Sequence, residues 1–203
     1  MSMTIRELAQ AVHENAVAHG WWDGKRSLYE IVALIHSEWS EALEEARAGR
    51  PLVWYACNVE YNPCIPRLDC LNAGKESECP SRGKKPEGIA VELIDGCIRI
   101  LDFFGHREIE VDDKDENPVT VESLWNNRAL MDEVPDTIAD TIALLHACTS
   151  QTIIDEEHDP ACLLGAMSVA LSWVHAQGID PLALLLEKHE YNKSRPYKHG
   201  KIF

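Results

Sequence analysis

The hydrophobic and polar positions of this chain repeat with the 3.6-residue period of an α-helix over six segments. The first runs from about Thr4 to His19. Thr4 followed by Glu7 is a capping-box start, and Gly20 ends the segment. After a tight Trp21-Trp22-Asp23-Gly24 link, Ser27 opens a second helix with Glu30 three residues on. It reaches about Ala48, where Gly49 and Pro51 stop it. A third begins near Pro86 or Glu87, with proline in its first turn, and ends near Gly105. Pro135 opens a fourth, to about Ser150, and a fifth spans roughly Pro160 to Ala176. Asp180 caps a sixth, with Pro181 at its first position, reaching about Lys193. No convincing alternating strand longer than four residues occurs, so the predicted class is all-α, one helical domain over residues 1–203.

Two stretches break the rhythm. Residues 52–86 carry Pro63, Pro66, Pro80, Gly74 and Gly83 and read as an irregular, cysteine-rich insertion. Residues 106–131 are acidic and mixed and read as an exposed connection. Together with the fourth and fifth helices, that connection forms an added block over 106–180.

The second helix places acids where a solvated helix would not. With Leu34 set at zero and each residue advancing by about 100°, Ile31, Ile35, Trp39, Ala42 and Leu43 cover an arc from about 60° to about 180°. Glu38 falls near 40°, within the apolar side, Glu45 falls near 20°, and Glu41 lies at the edge. The third helix is apolar almost all round, and its one narrow polar stripe is Glu92, Asp95, Arg99 and Asp102. Such a helix belongs in the middle of a bundle, so its acids have to face something other than bulk water. A carboxylate turned toward a core is costly unless it is paired or bound to metal. Glu38 with Glu41, and Glu92 with Asp95, each sit three residues apart on one helical face. If the two helices pack together, the pairs form a four-carboxylate cluster, an all-oxygen site suited to Mg²⁺ or Mn²⁺. A lone ExxE or ExxD is common and is mostly a solvated face; the core-facing placement and the second pair are what change the reading.

Composition then narrows the partners. The 203 residues include 34 acids and 19 bases, a formal net charge of -15. That excludes simple charge attraction to nucleic acid. It leaves room for a phosphorylated small molecule where a divalent cation reverses the local sign. No stretch approaches the roughly 18 or more apolar residues a membrane span needs, and the N-terminal residues have no signal-like pattern. The expected setting is cytoplasmic, with no membrane partner.

The sequence has seven cysteines, an odd number that argues against a secreted disulfide framework. Cys57, Cys64, Cys70 and Cys79 fall within the insertion. They could hold a structural Zn²⁺ as a Cys₄ site, although no CxxC is present; free thiols or redox-labile disulfides are the other readings.

Glu38xxGlu41, Glu92xxAsp95 and Lys188xxxAsn192, the last followed by the basic run around Arg195, stand in the order ExxE, ExxD, KxxxN. In that pattern the chain resembles the MazG-like branch of the all-α nucleoside triphosphate pyrophosphohydrolases. The flanks Leu34-Ile35-His36-Ser37-Glu38 and Pro86-Glu87-Gly88-Ile89-Ala90 are similar too. The resemblance covers a little under half of the chain. It implies a helical bundle of that type and hydrolysis of an NTP or dNTP to the monophosphate and pyrophosphate. It further implies that Glu38, Glu41, Glu92 and Asp95 bind one or more Mg²⁺ ions. Glu38 or Glu41 would act on the attacking water, Lys188, Asn192 and Arg195 would contact phosphate or sugar, and the assembly would be a homodimer or larger. The chain departs from the family in the length between its acid motifs, about fifty residues, and in the two additional helices before Lys188. A protein of the same fold that binds nucleotide without turnover, in a regulatory or phage-accessory role, is the alternative.

Trp22 is the candidate for stacking on a nucleobase, while Trp21 reads as a plug between the first two helices. Glu133, Asp136 and Asp140 read as acids complementing a helix start. His146 and His175 read as structural.

Overall fold

The computed structural model describes residues 3–56, 85–109, 111, 119–126, 135–154 and 159–200. It is mostly helical. The helices are α1 (Ile5–Ala18), α2 (Leu28–Arg47), α3 (Ile89–Arg107), α4 (Val121–Trp125), α5 (Ile138–Ile154), α6 (Asp159–Ala176) and α7 (Pro181–Lys193), followed by a 3₁₀ turn over Tyr197–Gly200. No single helix among the described residues is long and apolar enough to cross a membrane.

Local chemistry sets the helix ends. The Glu7 amide donates to Thr4 Oγ1 (3.1 Å) and the Thr4 amide to Glu7 Oε2 (3.0 Å), a reciprocal capping box that satisfies donors the first turn leaves over. Ser27 Oγ accepts from the Glu30 amide, and Asp180 Oδ1 accepts from the Leu182 and Ala183 amides. Thr137 accepts from the Asp140 amide, so α5 starts at Ile138, three residues beyond Pro135, and runs past Ser150 to Ile154.

α3 is the axis of the fold. It packs against α1, α2, α6 and α7, while α5 lies against α2 and α6. Its apolar side chains Val91, Leu93, Ile94, Ile100, Leu101 and Phe104 are wholly buried, as its composition predicts. α3 admits the Trp39 ring of α2 at Gly96, where a Cβ would lie 2.2 Å from that ring. Trp39 in turn donates through Nε1 to Thr149 Oγ1 of α5 at 3.0 Å, so one indole ties three helices together.

Two expectations are corrected. Pro86 does not open the third helix. It lies in strand β2 (Lys85–Glu87), which pairs antiparallel with β1 (Trp54–Ala56) in the register Trp54↔Glu87, Tyr55↔Pro86 and Ala56↔Lys85. Proline is tolerated in a two-stranded ribbon where its missing N–H is not required, and the helix begins at Ile89. The two ends of the 52–86 stretch are therefore ordered as a ribbon. Glu45 anchors it by accepting from Trp54 Nε1 at 2.8 Å.

The 106–131 stretch is not wholly an exposed connection. Within it, Val121, Leu124 and Trp125 of α4 are buried, and the Leu124 carbonyl accepts from Ser168 Oγ of α6. Thr120 forms a bridge with Thr4, and the Ile5 amide donates to the Val119 carbonyl. The signal was the i, i+3, i+4 spacing of Val121, Leu124 and Trp125, too short to stand out beside the acidic run.

The turn after α7 folds back over the α1–α2 link. Lys198 donates its amide to the His19 carbonyl, and the Tyr197 ring fills the space where a side chain on Gly20 would stand. Gly20 has φ +77°, so glycine serves both the turn and the close approach.

Candidate metal centre

Trp39 and Gly96 each immediately follow an acid, Glu38 and Asp95. The close α2–α3 contact therefore carries both acid pairs to one place. They line a cleft of about 190 Å³ whose other walls come from α1 (Asn15, Ala16), the link (Trp21), the ribbon (Lys85, Glu87) and the α7 region (Lys188, Asn192, Arg195). Glu38 and Glu92 are 6% and 4% exposed, and Glu41 stands exposed at the mouth.

One oxygen from each of Glu38, Glu41 and Glu92 lies within 4.8 Å of the other two, and the three could hold a metal ion. At that separation and an effective dielectric near 20, two full carboxylate charges repel by roughly 3 to 4 kcal/mol. The protein answers this partly with protons. Burial, and after it Asp95, pushes the Glu92 carboxyl up to about 9. Burial likewise raises Glu38, against the opposing pull of Arg99. Glu92 makes no hydrogen bond or ion pair among the described residues, although it is nearly buried. An all-oxygen trio with one such carboxylate is the donor set a hard divalent cation takes, and the residues fit Mg²⁺ or Mn²⁺.

Asp95 stands apart from this trio. Its Oδ2 is 2.8 Å from Lys188 Nζ, which also donates to the Pro86 carbonyl at 3.0 Å. Lys188 is 1% exposed. Burial works against its charge, but Asp95, with Glu92 and Glu87 behind it, outweighs that and holds its pKa above the ordinary lysine value. Asn192 and Arg195 line the cleft, and Arg195 makes no side-chain ion pair among the described residues.

No family model, no curated protein and no solved structure matches this chain. The site therefore rests on its own geometry.

Trp21, not Trp22, lines the cleft. Trp22 donates through Nε1 to Asp102 Oδ1 (2.8 Å) and stacks on His106 with ring centroids 3.8 Å apart. The same Asp102 oxygen is 2.8 Å from His13 Nδ1. His146 is not solitary: its Nδ1 meets His36 Nδ1 at 2.6 Å, and burial lowers the pKa of both rings. His175 stacks on Trp125. Asp140 accepts from Thr137 at the start of α5. Glu133 and the four cysteines Cys57, Cys64, Cys70 and Cys79 lie outside the described residues.

The residue that sequence reasoning passed over is Arg99. Its Nε donates to Glu38 Oε1 at 3.0 Å, and its guanidinium lies over the Trp21 ring at 5.6 Å. The signal was present: Arg99 follows Asp95 by one helical turn on the polar stripe of an otherwise apolar helix. Lys85 and Glu87, which pair with each other at the cleft edge, were hidden because the ribbon was not foreseen.

Proposed function

We propose that the chain is a Mg²⁺-dependent nucleoside triphosphate pyrophosphohydrolase, cleaving an NTP or dNTP to the monophosphate and pyrophosphate on an all-α bundle of the MazG-like type. The observation that carries this reading is the convergence of Glu38, Glu41 and Glu92 at one point in a cleft that Asn192 and Arg195 also line.

Glu38, Glu41 and Glu92 would hold the ion. When bound, a divalent cation polarises phosphate oxygens and lowers the pKa of a coordinated water. The rest falls to the chain's own groups. Glu41, exposed at the mouth, is reachable by solvent and suited to orient the attacking water and take its proton. Glu38 is held in place by Arg99 and presents its carboxylate beside it. Among the described residues Arg195 lines the cleft without an ion pair, and a guanidinium matches phosphate oxygens in bidentate fashion. Lys188, sealed against Asp95 and the ribbon, acts by fixing Asp95 and neutralising it. Trp21 contributes an apolar face to the wall.

A panel of NTPs and dNTPs with Mg²⁺, scored for pyrophosphate against orthophosphate, tests this. Pyrophosphate with the matching monophosphate is expected. Orthophosphate as the sole product, or no turnover of any nucleotide, rejects the reading.

A further inference from the structure

Six carboxylates line the cleft: Glu38, Glu41, Glu87, Glu92, Asp95 and Asp102. Four cations face them: Lys85, Arg99, Lys188 and Arg195. Three of the acids are already matched one to one, Glu87 by Lys85, Glu38 by Arg99 and Asp95 by Lys188. Asp102 is held by two neutral-capable donors, the His13 imidazole and the Trp22 indole. Glu41 and Glu92 remain without an ion-pair partner among the described residues. Counted with every group ionised, as a bound cation would leave them, the lining carries two negative charges in excess, which one divalent ion cancels.

Geometry separates the acids in the same way. The trio that could share an ion is Glu38, Glu41 and Glu92, and Asp95 is not in it. The place beside Asp95 where another cation would sit is taken by an ammonium 2.8 Å away that is 1% exposed and bonded to a backbone carbonyl as well. A nearly buried lysine with two fixed partners is not a mobile surface charge that an ion could push aside. Asn192 supplies the independent sign of a ligand: its Oδ1 is buried in the cleft wall with no hydrogen-bond partner among the described residues.

We propose that the cleft takes a single divalent cation, bound by Glu38, Glu41 and Glu92, and that Lys188 is a built-in substitute for a second ion at Asp95. This rests on the reading of the cleft as a metal site given above, but not on nucleotide hydrolysis. It separates Asp95 from the four-ligand set that the acid motifs alone imply.

The test is a titration of the metal-stripped full chain with Mn²⁺ alone, followed by calorimetry and electron paramagnetic resonance, without nucleotide. One Mn²⁺ per chain with an uncoupled signal is expected. Two ions per chain, or a spin-coupled pair, overturn the proposal even if pyrophosphate is released by the same preparation. No bound ion overturns both readings, and one bound ion without pyrophosphate release overturns only the proposed function. Lys188→Met should admit a second Mn²⁺. The double variant Asp95→Asn with Lys188→Met removes both members of the buried pair, which a fold tolerates better than the loss of one. It should keep one ion with affinity within about three-fold of the unaltered chain. A ten-fold or greater loss in the folded double variant would make Asp95 a ligand and sink the assignment.

Discussion

Arg99 donates to Glu38 across the α2–α3 interface, Nε to Oε1 at 3.0 Å, and so places a fixed positive charge against the most buried acid of the ExxE pair. Replacing Arg99 by Met should leave Glu38 uncompensated. Breaking a buried pair from one side costs about 3 to 5 kcal/mol; Arg99 is about a quarter exposed, so the lower end applies. Urea unfolding of the metal-free variant should show a loss of about 3 kcal/mol, and a loss below a few tenths would mean the pair is not formed.

Glu41→Gln changes a proton acceptor at the cleft mouth into an amide of the same size. Loss of a general base typically costs 10²–10⁴-fold in rate. Pyrophosphate release should fall at least about 100-fold while helical circular dichroism and melting temperature stay near those of the unaltered chain. Glu38→Gln should behave alike in rate. Wild-type turnover in either variant removes the carboxylates from the reaction.

Glu92 gives the site a pH dependence with a definite sign. Burial, then Asp95, raises its carboxyl from an ordinary value near 4.5 to about 9 in the folded protein. The folded state therefore holds a proton that the unfolded state releases, and the metal-free protein loses stability as pH climbs from about 4.5 through about 9. A cation has to displace that proton. The rise in melting temperature on adding Mg²⁺ should be larger at pH 8.5 than at pH 6. Calorimetry in buffers of different ionisation enthalpy should register proton release. Mg²⁺ binding that neither strengthens with pH nor frees a proton would contradict this.

Gly96→Ala tests how the acid pairs are brought together. A Cβ there lies 2.2 Å from the Trp39 ring, inside any allowed contact. Overpacking of this kind costs about 1 to 3 kcal/mol, and it should weaken Mn²⁺ binding because the ligand Glu38 adjoins the displaced Trp39. Unchanged stability and unchanged affinity would show that the close contact does not set the cleft.

The two neighbouring tryptophans should separate cleanly. Trp21 lines the cleft, whereas Trp22 is committed to Asp102 and His106. Trp21→Ala should raise KM for whichever nucleotide is hydrolysed, and Trp22→Phe should leave KM within about two-fold. The reverse result would place the base on Trp22.

Much of this molecule was legible before any coordinates. Period-3.6 patterning, capping residues and glycine stops located four of the six expected helices closely, because caps act within a turn of their own residues. The acid pairs were legible because they offended against burial. What escaped was non-local. The ribbon depends on Trp54 meeting Glu87 across a long separation in sequence. α4 is a five-residue helix stabilised by α6 and not by its own propensity. Lys188 is an attractive phosphate ligand by residue type alone, and only packing reveals that it is sealed against Asp95. Pairing between charges on different helices is a property of their crossing, and no local window carries it.

The lysine that neutralises Asp95 sits on α7, while the acids sit on α2 and α3. Synthesis runs from the N-terminal side, and folding of a nascent chain follows it. The acidic helices therefore leave the ribosome well before their internal counter-charge exists. Until α7 emerges, Asp95 has no Lys188 to pair with and is left to solvent. Docking of α7 then exchanges water around Asp95 for the Lys188 ammonium, so this charge pair closes only once chain made late in synthesis has returned to helices made early.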